Sequence, residues 1–194
     1  SPVYDVALKT PLDECLLLSE RLSNKVLLKR EDLQPVRSFK LRGAYQKMAS
    51  LSLEERMKGV IASSAGNHAQ GVAYSGAKLG ICTLIVMPVT TPEIKVDAVR
   101  RFGGEVELFG DTYDDAYAHA LKLAKKQDLV YVHAFDDPLV IAGQGTIGRE
   151  IESQLESAPD VVFIPVGGGG LIAGMSVYLK SVYPSVRIIG VEPE

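Results

Sequence analysis

The feature that most constrains the fold is a regular exchange between short β-branched runs and longer stretches with helical spacing. Runs suited to strands occupy 25–29, 60–63, 83–87, 105–109, 129–132, 161–166 and 187–191. The stretches between them carry helix start and stop signals: Ser38 as an N-cap, Pro92 near a first turn, Gly80 and Gly103 as stops. A strand that returns to its sheet through a helix does so by a right-handed crossover, so this order predicts parallel sheets covered on both faces. The class is α/β. No low-complexity linker, repeat or charge block places a domain boundary.

Composition removes several classes of function. The chain is 46% hydrophobic and 23% charged, with 24 acidic against 21 basic residues, which excludes a disordered tail, a collagen and a basic nucleic-acid binder. Its 194 residues suffice for one domain or two small ones. No run approaches the roughly 20 uninterrupted apolar residues of a membrane span. The opening SPVYDVALKTPLDE lacks the basic and apolar regions of a secretion signal. These features predict a soluble, intracellular chain with neither nucleic acid nor membrane as partner. Cys15 and Cys82 are far apart and without metal spacing, so both are expected to be reduced core thiols.

Ligands of open parallel sheets bind at the carboxyl ends of strands, and three segments fall there: VRSFKLRGA (36–44), SSAGNHAQG (63–71) and PVGGGGLIAG (165–174). The last joins an apolar strand to a helix through Gly167, Gly168, Gly169 and Gly170. Without Cβ atoms, several amides can turn toward one anion, and the helix dipole behind them favours negative charge. An empty glycine turn would need no such run. Two ligands remain open at this point. Gly168, Gly170 and Ala173 satisfy the dinucleotide fingerprint, with Glu192 about 20 residues on as a ribose-binding acid. The other candidate is a phosphorylated cofactor or substrate.

Lys40 opens a helix beside Phe39 and near Arg42. The opposed helix dipole and the like charge both push its amine toward the neutral form that Schiff-base chemistry requires. In SSAGNHAQG, Ser63, Ser64, Asn67 and the local amides offer donors for a carboxylate and a ring hydroxyl. Plain N-capping by Ser64 or Asn67 would use only one such residue.

With these segments in order, the chain resembles the biosynthetic threonine dehydratases, or threonine ammonia-lyases, among the fold type II (tryptophan synthase β-like) pyridoxal phosphate enzymes. The resemblance rests on KREDLQPVRSFKLRGAYQKM, SSAGNHAQG, DAVRRFGGEV, GQGTIGREI and VFIPVGGGGLIAG, and covers essentially the whole sequence. It implies pyridoxal 5′-phosphate linked to Lys40, with Phe39 lining the ring, Asn67 bonding the ring oxygen and Gly167, Gly168, Gly169 and Gly170 holding the phosphate. It further implies that Ser64, Ala65, Gly66, Asn67 and His68 receive the substrate carboxylate, and that Glu192 ligates Mg²⁺ or a monovalent cation with partners beyond Glu194. Serine racemases resemble the chain closely but carry a second hydroxyl where Ala65 stands, so alanine there favours elimination. Relatives often carry two prolines where this chain has His133 and Ala134 before Phe135.

The implied reaction converts L-threonine to 2-oxobutanoate and ammonia in isoleucine biosynthesis, with L-serine going to pyruvate. The alternatives are a catabolic serine/threonine dehydratase, a racemase relative, or a nonenzymatic dinucleotide- or effector-binding module. The implied architecture is a large cofactor-binding domain from 1–43 and 138–194, continuing beyond Glu194, with a small α/β domain inserted at 44–137. A homo-oligomer, dimer or tetramer, is implied, located in the cytoplasm or, in a plant or alga, the plastid stroma.

Overall fold

The computed structural model describes residues 1–193 and contains three sheets. In chain order the elements begin with β1 (Leu12–Glu14), α1 (Leu16–Leu22), β2 (Leu27–Lys29), α2 (Lys40–Ala49) and α3 (Leu53–Lys58). Next come β3 (Val60–Ser63), α4 (Asn67–Leu79), β4 (Thr83–Met87), α5 (Glu93–Arg101), β5 (Glu105–Leu108), α6 (Tyr113–Gln127) and β6 (Val130–Tyr131). The chain then runs through α7 (Pro138–Gln154), β7 (Val161–Pro165), α8 (Gly170–Val182) and β8 (Arg187–Val191).

The central sheet has the order β5-β4-β3-β6, and every pairing in it is parallel. Alternation along β3 divides the core. Val60 and Ala62 are buried among Met48, Val72, Ile85, Met87, Val96 and Val99, whereas Ile61 faces Val86, Ala116 and Ala120 on the side covered by α6. Such two-sided burial explains why these strands read as continuous apolar runs. The second sheet pairs β7 with β8 in parallel, and α7 and α8 cover one face through Ile147, Ile151, Ile164, Leu171, Met175 and Leu179. Its other face presents Phe163, which is 66% exposed.

Three expectations are corrected. The run at 25–29 does not join a parallel sheet; its residues Leu27–Lys29 pair antiparallel with β1 across the intervening α1. The partner strand is three residues long and two of them are acidic, so it carries no apolar period to read. Ser38 does not cap α2, because Phe39 holds the cap position and the buried Ser38 Oγ has no hydrogen-bond partner. Cys82 is exposed and Cys15 half-buried, so neither is a core thiol. Both lie where the chain enters an element, Cys15 just before α1 and Cys82 just before β4. Gly43 and Ala44 both lie within α2, which packs against both α4 and α7. Gly80 ends α4 in a left-handed conformation as expected, while α5 stops at Phe102, one residue before Gly103.

Candidate active site

Lys40, the first residue of α2, reaches across to the segment that leaves β6 and donates from Nζ to the Ala134 carbonyl at 3.0 Å. Its ammonium position lies 5.4 Å from the Phe39 ring centroid. Burial holds the Lys40 amine below the ordinary lysine range. The sequence pointed to that shift for the wrong reason. Arg42 stands two positions on, about 200° around the helix, and faces away. Its guanidinium is fully buried and bonded to Glu31 at 2.7 Å and Glu150 at 2.6 Å, so its charge is answered there rather than felt by Lys40.

Across from Lys40 runs the glycine loop. Phe39, Lys40, Phe135, Val166, Leu171 and the four glycines line a cavity of about 230 Å³. The glycines do different work. A Cβ on Gly168 would collide with the Phe135 ring, and one on Gly170 would lie 2.9 Å from the Phe135 carbonyl oxygen. Side chains on Gly167 and Gly169 would instead meet open space. Gly169 has φ +86°, where a side chain is strained, and it precedes the 13 residues of α8, whose first turn carries no side-chain cap. Phe135 is therefore a wall of the site that the sequence reading undervalued; its position three residues before the Pro138 helix start gave little signal by itself.

The loop between β3 and α4 brings Ser64, Ala65, Gly66 and Asn67 to the carboxyl end of the central sheet. Ser63 is buried and its hydroxyl pairs with the Tyr131 hydroxyl at 2.7 Å, which removes it from ligand binding. Ser64 Oγ accepts from the Gly66 amide, and neither Ser64 nor Asn67 caps the helix, since the cap residue is Gly66. The first-turn amides of α4 are thus left for something else. Asn67 is exposed at the start of the helix. His68 is buried, and burial, its largest influence, lowers its pKa to about 4. Its Nε2 lies 2.9 Å from the Val132 carbonyl oxygen, so the imidazole is a neutral donor to the backbone and not the cationic partner of a carboxylate. Glu192 lies exposed beyond β8. Among the described residues no group of three or more His, Cys, Asp or Glu side chains is placed to hold a metal ion.

Pyridoxal phosphate fits the residues present. Burial favours the neutral amine needed for an imine link, the cavity separates that amine from the glycine loop, and the space beside Gly167 and Gly169 meets the uncapped start of α8, where a phosphate finds amide donors. A larger groove of about 360 Å³ between α7 and α8 contains neither the lysine nor the glycine loop.

Comparison with known proteins agrees with this geometry. The chain is 56% identical over 99% of its length to L-threonine dehydratase biosynthetic IlvA of Burkholderia multivorans, covering 38% of that protein. It is 58% identical over its full length to Threonine dehydratase 2 biosynthetic, chloroplastic, of Solanum lycopersicum, covering 32% of it. The chain therefore spans about a third of the length of these curated relatives. Among solved structures, the processed form of threonine deaminase isoform 2 from Solanum lycopersicum matches with a TM-score of 0.97 at 58% identity, over 100% of this chain and 53% of that one. Maize serine racemase matches with a TM-score of 0.95 at 30% identity, over 99% of this chain and 58% of that one. The fold is that of the fold type II pyridoxal phosphate enzymes. A family model described as Pyridoxal-phosphate dependent enzyme matches residues 3–194, and the chain belongs to that family.

Proposed function

We propose that this chain supplies the cofactor lysine and phosphate loop of an enzyme that converts L-threonine to 2-oxobutanoate and ammonia, with L-serine going to pyruvate more slowly. The observation that carries the reading is the buried Lys40 amine facing the glycine loop across one cavity. The high identity to biosynthetic threonine dehydratases supports the choice of substrate. When bound, pyridoxal phosphate supplies an electron sink for charge developing at the substrate Cα.

The chain's own residues then have definite tasks. The amides of Gly167, Gly168, Gly169 and Gly170 hold the phosphate, Asn67 bonds the ring oxygen, and Phe39 and Phe135 wall the ring. The amides around Ser64, Ala65, Gly66, Asn67 and His68 take the substrate carboxylate, which fixes the direction of its Cα–H bond. The Lys40 Nζ, whose neutral form burial favours, receives the proton from Cα. Ala65 offers no second proton carrier on the opposite face, which supports elimination over racemisation despite the likeness to maize serine racemase. We further propose that 1–43 and 138–194 serve the cofactor-binding unit and 44–137 an inserted one, that the protein works as a homo-oligomer, and that its compartment is the cytoplasm or, in plants, the plastid stroma.

The test is Lys40→Ala. The unsubstituted protein should develop a near-violet absorbance with pyridoxal phosphate and release 2-oxobutanoate from L-threonine. The variant should lose the absorbance, and turnover should drop by several orders of magnitude. A variant that keeps near-normal turnover overturns the assignment, and binding of a nicotinamide dinucleotide without the absorbance would favour a dinucleotide module.

A further inference from the structure

The segment leaving β6 is gripped from three sides. Its Val132 carbonyl accepts from His68 Nε2 of α4 at 2.9 Å, its Ala134 carbonyl accepts from Lys40 Nζ of α2 at 3.0 Å, and its Phe135 lies with its ring against Gly168 and its backbone against Gly170, the first residue of α8. Only one residue, His133, stands between the carbonyl that His68 holds and the one that receives Lys40. His133 tightens the turn between them by accepting the Phe135 amide at 3.3 Å and the Asp136 amide at 2.8 Å through Nδ1. Along this stretch the ladder with β3 is down to its last bond, from the Val132 amide to the Ile61 carbonyl at 2.9 Å. Beyond that point the backbone has no sheet partner to fix where the Ala134 oxygen points.

His68 is 3% exposed, and its Nδ1 has no hydrogen-bond partner. A carbonyl only accepts, so Nε2 carries the hydrogen and Nδ1 the lone pair in the neutral ring. An unmet buried acceptor is destabilising, a cost that a leucine or phenylalanine in the same core would avoid. Retaining an imidazole there is explained by its one bond, the one to Val132.

We infer that His68 is a positioning residue for Lys40: by fixing the Val132 carbonyl it sets the Ala134 carbonyl that holds the free Lys40 amine in line with the glycine loop. The inference rests on Lys40 being the cofactor lysine. Burial, the largest influence, lowers the His68 pKa to about 4, so the donor persists at neutral pH and no imidazolium forms beside the amine.

Two probes separate positioning from simple packing. Pyridoxal 5′-phosphate needs both the glycine loop and the lysine, whereas 4′-deoxypyridoxine 5′-phosphate lacks the aldehyde and needs only the loop and walls. His68→Leu should weaken pyridoxal phosphate uptake about tenfold, the loss of one aligned hydrogen bond. The same variant should bind the aldehyde-free probe as before, and His68→Gln, whose amide donor can reach the same carbonyl, should restore uptake. Equal affinities in His68→Leu and the unsubstituted protein, or an equal loss for both probes, would overturn the inference. Failure of the unsubstituted protein to take up pyridoxal phosphate would instead remove the functional reading beneath it. Should His68→Leu not fold, ¹⁵N-imidazole spectra of the unsubstituted protein decide the matter: the Nε2–H tautomer from pH 8 to 5 is expected, and an Nδ1–H tautomer rejects the proposed bond.

Discussion

Lys40 and Arg42 lie two positions apart on α2 and face different sides of the helix, one amine facing a cavity and one guanidinium locked in a buried ion cluster. At the same scale, adjacent glycines differ in what they spare. Gly168→Ala should displace the Phe135 ring at about 1–3 kcal/mol, and that penalty should shrink in a Phe135→Ala background, as expected for two residues in contact. Gly169→Ala has room for its methyl and should cost only the left-handed backbone, about 1–2 kcal/mol. Denaturant unfolding of the four proteins measures this, and a Gly168→Ala cost that ignores Phe135 would reject the contact. Ala65→Ser tests reaction choice: D-amino acid should become detectable by chiral chromatography, and its absence would free Ala65 of that role. The sequence exposed the identities of these residues because glycine runs and a lysine at a helix start are rare. It could not expose which glycine meets Phe135, because that contact joins positions more than thirty residues apart.

At the scale of elements, the sequence read best where local chemistry decides structure. The strands of the central sheet are β-branched and buried on both faces, so β3 and β4 lie where the apolar runs put them. The β1–β2 pair escaped because three residues with two acids carry no period, and because it is held by tertiary bonds such as Lys29 to the Thr10 carbonyl at 2.6 Å. The β3–α4 loop read as a set of ligand donors, yet its Ser63 hydroxyl pairs with Tyr131 and its Ser64 hydroxyl accepts from the Gly66 amide. The start of α7, by contrast, is capped by Asp137, which accepts from the Leu139 amide at 2.8 Å and pairs with Lys47 of α2 at 2.8 Å. Asp137→Ala should lower stability by about 1 kcal/mol, most of it from the cap, while Lys47→Ala should cost less because that pair is partly solvated. If Lys47→Ala proved the more damaging of the two, the ion pair rather than the cap would be fixing α7 against α2.

Over the whole molecule, charge buried in one place ties distant segments together. Lys29 from β2, Glu31 from the turn after it, Arg42 from α2 and Glu150 from α7 form a single cluster, with Lys29 to Glu150 at 2.6 Å and Arg42 to Glu150 at 2.6 Å. Burial by itself would raise the Glu150 pKa, but hydrogen bonds from Arg42 and Lys29 outweigh it and hold the carboxyl below its ordinary value. Glu150→Ala leaves two buried cations facing one remaining carboxylate and should cost about 3–5 kcal/mol. Acid acts on this cluster and on His68 in sequence. The His68 pKa falls from 6.5 in the unfolded chain to about 4 in the folded one, so the unfolded state binds the extra proton first and stability drains away as pH falls between those values, by about 3 kcal/mol in all. Glu150, also depressed, contributes stability that is present above its ordinary value of 4.5 and is lost as pH falls through its lower folded value. Urea midpoints should therefore decline in two stages, the first below pH 6.5 and the second below 4.5. His68→Gln should flatten the first stage and leave the second, because glutamine does not titrate. A midpoint constant from pH 7 to 4.5 in the unsubstituted chain would mean that His68 is not held neutral by burial.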